Sequence, residues 1–155
     1  MDRRKNITLY EIKTYIMAKD IYHGVVREAL ENDGWTITHD PYYLIMQKDV
    51  ADYEIDLGAE RLITAEKGHE KVAVEVKSLL KTSLLHEFHS VLGQYMVYQY
   101  SLQKHEPNRK LYLAIPIYGF RKMQNIPPLL DMIRDFNIKL ICFDSETKTI
   151  ISWEK

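Results

Sequence analysis

Glu75 and Lys77 stand two apart in the run V-A-V-E-V-K, residues 72–77. Val72, Val74 and Val76 alternate with Ala73, Glu75 and Lys77. That is the period of a β-strand, whose successive side chains point to opposite faces. The carboxylate and the ammonium therefore share one face and the valines the other. Upstream, Asp52, Glu54 and Asp56 alternate with Tyr53, Ile55 and Leu57 in the same way, and Lys67-Gly68-His69-Glu70 is a turn signal between the two runs. Two strands folded back on each other would gather Asp56, Glu75 and Lys77. Two carboxylates can hold Mg2+ or Mn2+, hard cations that prefer oxygen ligands. Such an ion acidifies a bound water and stabilises charge on a phosphate oxygen. A lysine beside it can position or deprotonate that water, or meet the developing charge. The same alternation also describes a solvated strand face; the valines argue for a central strand, where an acidic face needs a reason.

The elements that must position these groups follow from periodicity. The chain has 155 residues, 46% hydrophobic and 28% charged, which is the composition of one ordinary globular domain. No apolar run approaches a membrane span, and Glu11 and Lys13 interrupt any leader-like segment. Cys142 is the only cysteine, so no intrachain disulfide can form, and a reducing, cytoplasmic setting is expected. A net charge of -1 argues against a surface that grips DNA all over, while leaving room for a local basic groove. Residues 1–16 read as an extension, expected to be mobile, with Met17 as the natural start and 17–155 as the domain.

Asp20 is expected to cap a first helix whose apolar face is Ile21, Val25, Val26, Ala29 and Leu30, closed at Asn32-Asp33-Gly34. His23 and Glu28 lie on it. Trp35–Thr38 is a short strand, His39-Asp40-Pro41 a bend, and Tyr42–Gln47 a further extended stretch. Ala59–Ala65 is ambiguous, with strand favoured near Thr64. From Ser83 to about Lys104 the period becomes helical, through Leu84, Leu85, Phe88, Val91, Leu92, Tyr95, Met96, Tyr100 and Leu102. His86 and His89 on this helix lack the four-residue zinc spacing. Lys110–Ile115 is a strand. Pro127-Pro128 opens a helix carrying Leu129, Leu130, Met132, Ile133 and Phe136. Ile138–Phe143 and Ile150–Trp153 are the last strands.

Helix, strands, long helix, strand, helix and strand, with Asp56 and Glu75-x-Lys77 at the middle, resembles the PD-(D/E)xK core of restriction endonucleases: an α/β (α+β) fold with a mixed central sheet flanked by helices. Gln94-x-x-x-Tyr98 is similar to a motif in nucleases like the RecB nuclease domain. Still closer are A-K-D-I-Y-H (18–23), D-G-W-T-I-T-H-D-P (33–41), I-D-L-G-A-E (55–60), V-A-V-E-V-K-S (72–78), L-G-Q-Y (92–95) and L-Y-L-A-I (111–115), which resemble the XisH family over residues 17–155. The family is cyanobacterial and named as an fdxN element excision controlling factor. It is implicated in site-specific DNA excision during heterocyst development, with a recombinase and a partner, XisI. The resemblance implies Asp56, Glu75 and the carbonyl of Val76 as ligands of Mg2+ or Mn2+, Lys77 as the catalytic lysine, and Gln94 and Tyr98 as support. Glu28 would complete the site from the first helix. Ile55 stands where many such nucleases have proline. The implied activity is metal-dependent cleavage of DNA, and because nucleases of this fold often pair to cut two strands the resemblance also implies a homodimer. The other readings are a non-cleaving adaptor for DNA, XisI and recombinase, and an interaction protein whose acidic face is merely solvated.

Overall fold

The structure, a computed structural model, describes residues 8–42, 62–80 and 83–154. Asp56 and the rest of the expected Asp52–Leu57 strand lie outside the described residues. The elements are α1 (Leu9–Asn32), β1 (Thr36–Tyr42), β2 (Leu62–Lys67), β3 (Glu70–Val76), α2 (Leu84–His105), β4 (Arg109–Pro116), α3 (Ile117–Gln124), α4 (Pro127–Asp135), β5 (Leu140–Asp144) and β6 (Thr149–Glu154).

The six strands form one mixed sheet in the order β1-β2-β3-β4-β5-β6. β2 and β3 are an antiparallel hairpin, turning where Gly68 adopts a φ of 60°. β3, β4 and β5 run parallel, because helices connect them. The alternation read at Val72–Lys77 decides what each face buries. Ile63, Ala65, Val72 and Val74 pack with Val25, Val26 and Leu30 of α1. Leu62 and Ala73 face the other way, into a core made by Phe88, Val91, Tyr95, Tyr98 and Leu102 of α2, with Met123 of α3 and Leu129 of α4. Helices therefore cover both faces, as a central strand with valines on one side requires.

Several boundaries differ from the sequence reading. α1 begins at Leu9, so Asp20 lies inside the helix and does not cap it. Its C-terminus is as expected: Gly34 has a φ of 89°, and Trp35 N–H donates to the Leu30 carbonyl at 3.0 Å. β1 runs through Asp40 and Pro41 with two irregularities in its register to β2, where a bend was expected. It is an edge strand, and there the missing proline N–H costs no ladder bond. α3 was not anticipated. It follows β4 directly, starts at Pro116 without a side-chain cap, and buries only Gly119 and Met123, so it leaves little pattern in the sequence.

α2 is anchored along its length. Ser83 caps it, its hydroxyl accepting from His86 N–H at 3.3 Å. Tyr95 Oη donates to the Leu111 carbonyl and accepts from Lys139 N–H, both at 3.1 Å, which ties mid-helix to β4 and the start of β5. At the far end Glu106 accepts from Tyr42 Oη at 2.9 Å and pairs with Arg109, whose Nη1 donates to the Val72 carbonyl at 3.1 Å. Burial, and then the Glu106 hydrogen bond, push the Tyr42 hydroxyl up to about 12.

The buried stripe of α2 is narrower than its apolar content. Leu84, Phe88, Val91, Tyr95, Tyr98 and Leu102 are inside; Leu85, Met96 and Tyr100 are exposed, and Leu92 is half-buried. Phe88→Ala is therefore expected to cost about 3–5 kcal/mol in a denaturant melt. Leu85→Ala, three residues away on the same helix, should stay within about 0.5 kcal/mol. Equal costs would mean that the helix presents a different face to the sheet.

Candidate active site

The last turn of β3's alternation delivers Glu75 to the α2 layer. Its neighbours across the sheet are Leu62 on β2 and Leu113 on β4, both apolar, and the residue is only 1% exposed. A carboxylate there loses its hydration and needs compensation from fixed charge or dipoles. Lys77 supplies it: Nζ lies 3.2 Å from Glu75 Oε1, and the lysine is itself buried. Lys77 is past the end of β3, yet its N–H donates to the Ala114 carbonyl at 2.9 Å, which holds the backbone in register with β4. Nζ then donates to Gln94 Oε1 at 2.6 Å. The ammonium is thus fixed between a carboxylate and an amide carbonyl, with its four-carbon stem folded into the protein.

Gln94 reaches Lys77 because Tyr95, the next residue, clamps that turn of α2 to β4. Tyr98, one helical turn on from Gln94, is 1% exposed and belongs to the core on this face. Val76 turns its side chain to the α1 layer, where it packs against that core, and its backbone closes β3 between Glu75 and Lys77. Immediately beyond, Leu79 is buried with a φ of 53°, a left-handed backbone that costs a branched residue of order 1–3 kcal/mol. It is seated against Gly119 of α3, where an added Cβ would stand 3.0 Å from Leu79 Cδ1.

Of the residues singled out in the sequence, Glu75, Lys77 and Gln94 come together, with Tyr98 on the same helix face. Glu28 does not join them. It is on α1, across the sheet from Glu75, and its carboxylate meets Lys148 Nζ at 2.9 Å in an exposed pair at the β5–β6 turn. His86 and His89 are exposed on α2. Glu87 was missed: it is a 5% exposed carboxylate on α2, and its spacing of seven to Gln94 and eleven to Tyr98 sets all three on one stripe. The signal was there, a lone acid within an apolar helical stripe. On the other face, Asp40 joins His23 at 2.6 Å and Arg27 at 2.7 Å, fastening α1 to β1. Burial raises the Asp40 carboxyl, but the hydrogen bonds from Arg27 and His23 outweigh it and hold it below the usual range.

Among the described residues no three His, Cys, Asp or Glu side chains converge. Among the described residues, the donors at this end of β3 are a buried carboxylate and strand-end backbone. That is the chemistry a hard divalent cation takes, and Glu75 fits it.

Residues 16–151 match the family model described as XisH protein. A crystal structure of an fdxN element excision controlling factor protein from Anabaena variabilis is similar, with a TM-score of 0.77 and 37% identity over 88% of this chain and 99% of that one. A crystal structure of an XisH family protein from Nostoc punctiforme PCC 73102 is similar to the same degree, with 37% identity and a TM-score of 0.77 over 88% of this chain and 100% of that one. No curated protein matches the chain. No helix among the described residues is long and apolar enough to cross a membrane.

The buried pair has a thermodynamic signature. Glu75→Gln and Lys77→Met should each cost about 3–5 kcal/mol, since each leaves a buried charge without its partner. The double variant should cost less than the sum by about 1–3 kcal/mol. Strict additivity in urea melts would mean that the two groups do not interact.

Proposed function

The chain belongs to the XisH family, and on that footing we propose that it is an excision controlling factor acting on DNA through a metal-dependent phosphodiesterase site at the end of β3. The observation that carries the reading is the trio of buried Glu75 and Lys77 with half-buried Gln94, in which an ammonium is held 3.2 Å from a carboxylate and 2.6 Å from an amide oxygen. A buried ion pair needs further acceptors for its ammonium, but it does not need that ammonium aimed at a third group. A catalytic lysine does, because the reacting proton must be within hydrogen-bond reach of its partner in a fixed direction.

In this reading Mg2+ or Mn2+ would be held by Glu75, Asp56 and the Val76 carbonyl. Its contribution when bound is Lewis acidity at a phosphate oxygen and a more acidic water. Glu75 keeps one oxygen toward Lys77, which fixes the carboxylate's orientation. Gln94 holds Nζ beside Glu75, which fixes the direction from which the ammonium would meet the attacking water or the non-bridging oxygen where charge grows. Water attacks phosphorus and gives up a proton, one P–O ester bond breaks, and the departing oxygen takes up a proton in its place, leaving a hydroxyl end and a phosphate end. The low exposure of the site excludes bulk water and strengthens each of these interactions.

The name carried by the Anabaena variabilis protein, a controlling factor, favours a second reading. In it the same fold is a non-cleaving adaptor that holds DNA, XisI or a recombinase, and Lys77 permanently neutralises Glu75.

The pure protein incubated with duplex, nicked or branched DNA and Mn2+ decides between them. Cleavage should require the metal and be lost in Asp56→Ala and Glu75→Ala. In Lys77→Met, assayed where melts show it folded, cleavage should fall by about 10²–10⁴-fold while calorimetry still detects Mn2+. Mn2+ binding without cleavage by the wild type would overturn the phosphodiesterase in favour of the adaptor.

A further inference from the structure

We infer that the exposed face of α3, made by Tyr118, Arg121 and Lys122, is the surface that holds the sugar-phosphate backbone of DNA beside the Glu75–Lys77 site; this rests on the reading that the site acts on DNA. α3 leaves the end of β4, which runs parallel to β3 with Val76 opposite Ala114, so the helix starts at the same end of the sheet as the site. Met123 packs into the core that Ala73 and α2 share, which puts α3 on the same face of the sheet as Glu75. Leu79, two residues past Lys77, is wedged against Gly119. The site and α3 are thus joined by one short, tightly seated segment.

The chemistry of this face is unspent. Among the described residues, Arg27, Arg109 and Arg134 are all paired with carboxylates. Among the described residues, exposed Arg121 and half-buried Lys122 make no ion pair. Lys122 Nζ instead lies 4.5 Å over the ring of Tyr118, which is 52% exposed. That cation–π contact keeps the ammonium raised at the surface next to an aromatic face. α3 has no acidic residue in its first turn and no side chain capping it, so its own dipole adds positive potential at the end nearer Lys77. Two unpaired cations and an exposed ring, on a protein of net charge -1, form a local basic surface. Cations and a ring contact phosphates and sugars without reading bases, so this face supplies affinity and register and no sequence preference.

The test is fluorescence anisotropy with short labelled duplexes of two unrelated sequences, in EDTA so that nothing is cut. Arg121→Gln/Lys122→Gln should weaken binding of both duplexes equally, by about tenfold or more, and make the slope of log K against log salt shallower by about 1.8, two contacts at about 0.9 each. Its thermal melt should match that of the wild type, since both side chains are at the surface. Equal affinity and slope in wild type and variant would overturn this inference and leave the site reading standing. Failure of the wild type to bind any duplex would overturn both. Polyglutamate of matched charge that displaces the duplex as well as unlabelled duplex would assign the face to an acidic protein partner and overturn it. Because binding is read without cleavage, an inactive protein counts against the catalytic reading alone.

Discussion

A carboxylate in the dark interior of a sheet is the constraint around which the structure is arranged. Glu75 is flanked by Leu62 and Leu113 and is 1% exposed. Left alone, such a group would cost several kcal/mol or take up a proton. Lys77, 3.2 Å away, makes the ionised form tolerable. Buried pairs of this kind rarely stabilise a fold relative to apolar residues of the same size. Stability alone therefore does not explain its presence in the sheet, and a role at a functional site is what the proposed reading assigns to it.

The rest of the fold can be read as what keeps that pair in place. The β3–β4 ladder runs one residue past the strand and fixes the Lys77 backbone. Parallel pairing of β3 with β4 demands a crossover, and α2 is that crossover, lying over the face to which Glu75 points. Ser83, Tyr95 and Glu106 fasten α2 at its start, middle and end, and Gln94 beside Tyr95 is thereby held at 2.6 Å from Nζ. The strained backbone of Leu79 pressed on Gly119 carries this order into α3. Each of these contacts is local, yet together they determine where one ammonium can point.

Much of this was legible in the sequence because it rests on short periods. Two-residue alternation at Val72–Lys77 correctly divided the valines from Glu75 and Lys77, and a spacing of four put Gln94 and Tyr98 on one helix face. The mixed sheet flanked by helices was implied by the resemblance that the order of elements carries together with Asp56 and Glu75-x-Lys77. What was hidden depends on partners distant in the chain. Leu85, Met96 and Tyr100 fit the helical period as well as Phe88 does, and only the position of the sheet leaves them outside. α3 is eight residues with two buried positions, too few to make a pattern. Asp20 looks like a cap only if the helix is assumed to start there. Glu28 shares its helix with core residues, and the sequence does not tell on which side of the sheet that helix packs. Arg121 and Lys122 are ordinary surface cations until Leu79 and Gly119 show what they stand beside.

Anomalous diffraction from crystals of the protein soaked in Mn2+ tests the central claim most directly. The account predicts a peak about 2 Å from a Glu75 carboxylate oxygen, with Lys77 Nζ still hydrogen-bonded to Gln94 and not coordinating the ion. Occupied Mn2+ sites elsewhere, with none at Glu75 and with the Glu75–Lys77 pair unchanged at 3.2 Å, would contradict it.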